Sequence, residues 1–357
     1  MSGKNAIHVV GTGTIGEPLI GLLTDVRERL GFDEVTFHKR TPLTSDRSKV
    51  VDLMRRGARL VVDDDRREGF KAIGIEPTYE TSEALEAASV VIDCTPSGVG
   101  HKNKVRFYEN YASNTAGFIA QGSEFGFGKM YALGINDQAL KHGEDKFLHV
   151  VSCNTHNLAV LLHALALDTG GPDNIKEGRF VCIRRANDIS QDSDFIASPK
   201  VGIHKDERFG THHARDAHHL FRTLGLDLDL FSSALKMNSQ YMHAIWFNIR
   251  VRKPTTREDV LNSLAANEHV SLTEKTSTNL VFSFGRDHGF YGRIFSQTVV
   301  VTPTVHVHDG TEIVGFSFTP QDGNSVLSSV AAATWFLYPK DYQKRIEPLR
   351  RYCFKEV

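Results

Sequence analysis

The sequence predicts an α/β protein, in which a Rossmann-type doubly wound sheet is followed by an α+β catalytic domain with a mixed or antiparallel sheet. Three observations predict this. Short β-branched runs alternate with helical stretches up to about residue 151. The first run leads directly into a glycine-rich turn. Beyond residue 153 the strand-like runs lengthen, and polar, turn-rich connections separate them.

Ala6-Ile-His-Val-Val10 is short and β-branched, as a buried parallel strand is. It enters Gly11-Thr-Gly13-Thr-Ile-Gly16. From Pro18 to Leu30 the residues Leu19, Leu22, Leu23, Val26 and Leu30 share one helical face, and Gly31 stops the helix. Glu34–Phe37 is a second strand, ending at His38-Lys39-Arg40-Thr41. Ala88–Asp93, Gly117–Gln121 and Phe147–Val151 read as further buried strands. Asn157–Leu167 is an apolar helical stretch. Arg179–Arg185, Ser233–Val251 and Gln297–His308 read as long strands, with a loop over Asp188–Ser198. Gly310–Pro320 is short and β-like, and Ser325–Leu337 is a closing helix. The expected domains are 1–151, joined by about 325–357, and 152–324.

Composition narrows the function. The 357 residues carry 42 Lys+Arg against 43 Asp+Glu, a net charge of −1, which excludes attachment to nucleic acid or a membrane by bulk charge. No apolar run approaches the ~20 residues that cross a bilayer, and Met1-Ser-Gly-Lys-Asn does not open like a signal peptide. Four cysteines, Cys94, Cys153, Cys182 and Cys353, are too few for a disulfide framework and lack zinc-like spacing. A reduced, cytoplasmic protein without a bound metal is expected.

The glycine turn sits between a strand and a helix, with a second strand about twenty residues later. In that setting Gly11, Thr12, Gly13, Thr14, Ile15 and Gly16 form a candidate pyrophosphate cradle. An acidic residue at the end of the second strand would select NAD. This chain offers Lys39 and Arg40 instead, which suit the 2′-phosphate of NADP. Thr95 and Gly122, small residues at the carboxyl ends of later strands, join the cofactor set.

Ser152-Cys153-Asn154-Thr155 follows a strand and begins a helix, where the positive end of the helix dipole favours a thiolate. A thiolate needs a base. Seventeen histidines offer many candidates, among them His212, His213 and His243. Arg184 and Arg185 at a strand end suit a forked clamp on phosphate.

Taken as a set, the glycine turn, Lys39 with Thr41-Pro42, Ser152-Cys-Asn-Thr155, Arg184-Arg-Ala186, Thr211-His-His213 with Asp216, and Met242-His243 occur in this order. That succession, with Gly285-Arg286-Asp287, resembles the archaeal-type (type II) glyceraldehyde-3-phosphate dehydrogenases. The resemblance implies an NADP- or NAD-dependent, phosphorylating oxidation of a small phosphorylated aldehyde, with inorganic phosphate as co-substrate, in a homotetramer. It implies Cys153 as nucleophile and His243 as base. Asn154, Thr155, Arg184, Arg185, His212 and His213 would contact substrate or phosphate, and Lys39 and Thr41 the adenosine 2′-phosphate. The chain departs from the family at His156-Asn157, where Thr-Gly is usual, and at Ala214-Arg215 after the histidine pair. Asn324 is the nearest counterpart of the asparagine that starts the family's closing helix. Two other functions fit the same residues: an acyl-phosphate reductase of the semialdehyde dehydrogenase type, and a catalytically silent NADP-binding sensor.

Overall fold

A computed structural model describes residues 4–189, 191, 195–320 and 322–357. Met1-Ser-Gly and part of the Asp188–Ser198 loop lie outside them. The chain forms two compact units: Met1–Lys129 with Leu140–Val150 and Ser328–Pro348, and Met130–Ala139 with Val151–Leu327 and Leu349–Val357. The last nine residues, placed with the first domain from the sequence, thus cluster with the second unit. There Leu272 N–H donates to the Lys355 carbonyl, and Val357 N–H to that of Leu272.

The first sheet contains β1 (Ala6–Val10), β2 (Glu34–His38), β3 (Arg59–Val62), β4 (Tyr79–Glu80), β5 (Val90–Asp93), β6 (Gly117–Gly122), β7 (Lys129–Tyr131) and β8 (Phe147–Val151), in the spatial order β4-β3-β2-β1-β5-β6-β8-β7. Ile7 pairs in parallel with Val35 on one side and with Val90 on the other. Strand order therefore reverses at β1, so the turns after β1 and β5 open at one carboxyl edge, where such sheets hold ligands. Helix Gly16–Leu30 buries Leu19, Ile20, Leu22, Leu23 and Leu30, and ends at Gly31 with φ +82°.

The second sheet contains β9 (Ile175–Arg184), β10 (Lys200–Val201), β11 (Leu230–Lys236), β12 (His243–Val251), β13 (Val270–Thr273), β14 (Thr298–His308) and β15 (Glu312–Thr319), ordered β10-β11-β9-β12-β15-β14-β13. It is mixed: β11 runs parallel to β9, and β13 to β14, while the other pairs are antiparallel. The single run expected over Ser233–Val251 is two strands. Between them the Met237 N–H reaches the Arg184 carbonyl, the Ala186 N–H reaches that of Ser239, and Gln240 bonds both backbone groups of Asn187. These bonds to the β9 exit divert residues 237–242 from the sheet ladder.

Helix Cys153–Leu162 is buried on nearly every side within the second unit. Leu158, Leu161 and Leu162 share one apolar cluster with Phe180, Phe221, Phe247 and Ile249. A helix so enclosed holds its first residue in a fixed place. Among the described residues no helix is long and apolar enough to cross a membrane.

Candidate active site

In the first unit, the glycine turn meets the demands of a pyrophosphate cradle. Gly11 has φ +98°, and a Cβ on Gly16 would lie 2.0 Å from the Gly11 carbonyl oxygen, so neither position admits a side chain. A Cβ on Gly13 would meet nothing within 4 Å, which leaves its backbone open to a ligand. Gly122 has φ +69°, and its carbonyl accepts from His149 Nε2 at 2.7 Å. Thr95 is held by Asp93, whose buried carboxylate also accepts from Tyr108 Oη at 2.6 Å and Asn103 Nδ2 at 2.8 Å. Arg40 and Thr41 are exposed. Lys39 is not: its Nζ lies 2.6 Å from Asp46 Oδ2. These residues fit a dinucleotide, and they would hold its phosphates and adenosine end.

In the second unit, Ser152 caps the Cys153 helix, its Oγ accepting from Thr155 N–H at 3.3 Å and lying 2.9 Å from Thr155 Oγ1. Thr155 thereby serves the cap. Asn154 Oδ1 accepts from Thr319 Oγ1 at 3.0 Å, and Thr319 in turn accepts from Asn157 Nδ2 at 3.0 Å. Asn157 Oδ1 accepts from Thr298 Oγ1 at 2.9 Å and Ser317 Oγ at 3.0 Å. Asn157 therefore has a physical role: it ties the first turn of the helix to β14 and β15. His156 Nδ1 lies 3.0 Å from the Ser152 carbonyl.

The Cys153 side chain is half-buried. Its thiol is pushed up to about 12, first by burial and then by the charge of Asp322, against the opposing pull of Arg185 and Arg184. Desolvation and the Asp322 carboxylate thus oppose the thiolate that the helix start favours. Cys182 is buried and likewise raised to about 12, and burial raises Cys94 well above the thiol range.

Arg184, Arg185 and His243 meet where β9 ends and β12 begins, since Ala244 pairs with Ile183 and His243 with Thr319. The two arginines differ in setting. Arg184 is exposed. Arg185 is buried, its guanidinium 2.9 Å from Asp188 and 3.5 Å from Asp322. The Arg185 backbone N–H donates to His243 Nδ1 at 3.1 Å. Burial, then the charges of Arg185 and Arg184, hold His243 well below the usual histidine range.

His212 and His213 open the helix His212–Arg222, their rings 3.9 Å apart. Burial, then Arg184 and Arg215, push His212 down to about 4. His213 is buried, neither ring nitrogen has a hydrogen-bond partner, and it feels His212, Arg184 and His243. Burial raises the neighbouring Asp216 to about 6 against the pull of Arg215, whose Nε donates to it at 3.0 Å. Among the described residues, no group of three His, Cys, Asp or Glu side chains could hold a metal ion.

Several participants escape sequence reading. Asp322 reaches Arg185 from 137 residues along the chain, opposite the sequence-near Asp188. Asn324, the nearest counterpart of the family's closing-helix asparagine, is buried and donates from Nδ2 to the Cys153 carbonyl at 3.0 Å and the Gln297 carbonyl at 3.2 Å, contacts that its sequence position does not announce. Asp46, just before helix Arg47–Arg55, pairs with Lys49 on that helix at 3.0 Å and with Lys39 at 2.6 Å, and neither Asp46 nor Lys49 stands out in the sequence.

Comparison with known proteins agrees with this arrangement. The chain is 27% identical over 327 residues to the glyceraldehyde-3-phosphate dehydrogenase of Sulfolobus acidocaldarius, covering 87% of this chain and 85% of that protein. It is 27% identical over 337 residues to that of Methanococcoides burtonii, covering 92% of each. A third relative, glyceraldehyde-3-phosphate dehydrogenase 1 of Methanosarcina barkeri, is 30% identical over 227 residues, 62% of each chain. No family model matches the chain.

Proposed function

We propose, from the premise that this chain is a divergent member of the archaeal-type glyceraldehyde-3-phosphate dehydrogenase family, that it is a phosphorylating aldehyde dehydrogenase working through a thioester on Cys153. The observation that carries the proposal is the gathering of Arg184, Arg185 and His243 at one end of the second sheet, with both arginine charges acting on Cys153 and that of Arg184 on His212 and His213.

The half-buried thiol loses its proton to solvent, and the sulfur adds to the aldehyde carbon. The oxygen that becomes an alkoxide is held by N–H groups at the start of the Cys153 helix. His243 supports it as a donor. A backbone N–H can only donate, so the bond from Arg185 makes His243 Nδ1 an acceptor and leaves the proton of the neutral ring on Nε2. On this reading His243 donates from Nε2, whereas the resemblance implies a base. A dinucleotide held by the glycine turn would supply the hydride acceptor. Loss of hydride from the alkoxide adduct would leave a thioester on Cys153 with no further proton to remove. Hydrogen phosphate then attacks the carbonyl carbon, the C–S bond breaks as the acyl phosphate leaves, and the released Cys153 thiolate takes up the proton that the phosphate gives up, restoring the thiol. Arg184, with His212 and His213, holds the phosphate groups, while Arg185 holds His243 in place.

The test follows absorbance of reduced dinucleotide during incubation with glyceraldehyde-3-phosphate and NADP⁺ or NAD⁺, with and without inorganic phosphate. Phosphate-dependent reduction that vanishes in Cys153→Ser supports the proposal. Activity confined to aldehydes that lack a phosphate would favour the semialdehyde dehydrogenase type instead.

A further inference from the structure

We propose that Asp46 sets the dinucleotide preference of this chain, acting as a built-in counter-anion between the two lysines that would receive an adenosine 2′-phosphate. The inference rests on the dinucleotide-binding role proposed above and deepens it.

Asp46 is divided between two cations, one for each carboxylate oxygen. Lys39 Nζ lies 2.6 Å from Oδ2, and Lys49 Nζ lies 3.0 Å from Oδ1. Lys39 emerges directly from β2, at the place where an acidic residue would select NAD. Lys49 also lies 3.5 Å from the Thr12 carbonyl, which ties the cluster to the glycine turn, and 4.0 Å from Glu17. Arg40, the next residue after Lys39, is exposed. The nearby His38 is engaged by Asp63 at 3.2 Å, which leaves Asp46 as the carboxylate paired with Lys39 and Lys49.

The consequence is electrostatic. Lys39, Lys49 and Asp46 together carry one net positive charge, and a phosphate dianion seeking both lysines must displace or repel the carboxylate already between them. A ribose hydroxyl has no such conflict, because it can donate to Asp46 while the ion pairs stay intact. Two basic residues at the β2 exit therefore do not by themselves make an NADP enzyme. The carboxylate seven residues after Lys39 offsets Lys39 and Lys49, and its removal would uncover both lysines.

The experiment is titration calorimetry of NAD⁺ and NADP⁺ binding to the full chain, in one buffer of fixed ionic strength. Asp46→Asn keeps the side-chain shape and removes the charge, and it should raise the ratio Kd(NAD⁺)/Kd(NADP⁺) at least tenfold. Lys49→Met, a change on a partly exposed helix, should lower the same ratio at least fivefold. Ratios within twofold of the parent in both variants would overturn the inference while leaving dinucleotide binding intact. Failure of the parent protein to bind either dinucleotide would overturn the dinucleotide-binding role itself, and the inference with it.

Discussion

The backbone N–H of Arg185 donates to Nδ1 of His243 across 3.1 Å, and this one bond decides what the imidazole can do. Protonating the ring at Nδ1 would set two N–H groups against each other, in the same direction as burial and the arginine charges that already keep it neutral. A ring fixed in this way is a donor at Nε2. Glutamine can present an N–H near that position but cannot act as a base. His243→Gln should therefore retain within about 100-fold of the parent kcat, whereas His243→Ala should lose about 10²–10³-fold, as when an oxyanion donor is removed. Equal, near-complete loss in both variants, read by steady-state kinetics, would return His243 to the role of base.

Cys153 presents the reverse of a primed nucleophile. A thiol at about 12 is ionised in roughly one molecule in 10⁵ at pH 7. Iodoacetamide should therefore alkylate Cys153 slowly at neutral pH, its rate climbing about tenfold per pH unit from 7 to 10 with no plateau. Asp322→Asn removes the charge that most opposes ionisation and should accelerate alkylation at pH 8 by about tenfold. It should also cost about 1–3 kcal/mol of stability, because Arg185 loses a buried partner. A plateau below pH 8 in the parent protein would show that the thiol is already activated at rest.

Asn157 satisfies its side chain entirely within the second unit, accepting from Thr298 and Ser317 and donating to Thr319. Asn157→Ala leaves three buried hydroxyls short of a partner and should destabilise the protein by about 2–4 kcal/mol in urea unfolding. Because Thr319 also holds Asn154, the residue after the nucleophile, kcat should fall more than KM rises. A variant as stable and as active as the parent would show that the network positions nothing.

The pH dependence of stability has a definite sign. His8 is buried in β1, its Nδ1 lies 2.7 Å from Thr36 Oγ1, and burial, with a smaller contribution from His38, pushes it down to about 3. Between pH 6.5 and about 3 the unfolded chain binds a proton there that the folded chain does not, so stability falls as pH falls. At about 1.4 kcal/mol per unit, the His8 share lost between pH 7.5 and pH 5 is about 2 kcal/mol. His8→Gln should shrink the difference in urea unfolding free energy between those two pH values by about that amount. An unchanged difference would place the titration elsewhere.

What the sequence made legible were features encoded locally. Ile7 to Val10, the glycines at 11, 13 and 16, and Gly31 announce a strand, a turn and a helix stop through residue type alone. The helix start at Cys153 is announced by the strand that runs into Ser152-Cys-Asn-Thr155, and Ser152 caps it. What escaped depends on partners distant in the chain. Arg185 looks like its neighbour Arg184, yet Asp322, 137 residues away, helps to bury it. The protonation pattern of His243 follows from the register of β12 against β9, which no local pattern encodes. Met237, Tyr241 and Met242 carry enough apolar character to disguise a break between two strands as one long run. Lys39 read as a free cation because Asp46 is brought to it by the turn after β2.

The central claim, that carbon chemistry takes place on Cys153, is tested most directly by intact-protein mass spectrometry. The protein is mixed with glyceraldehyde-3-phosphate and oxidised dinucleotide in phosphate-free buffer, then quenched in acid. The account predicts an acyl adduct that maps to Cys153, requires oxidised dinucleotide, disappears when inorganic phosphate is added, and is absent from Cys153→Ser. Dinucleotide reduction that proceeds at the parent rate in Cys153→Ser, with no adduct on the parent protein, would contradict it.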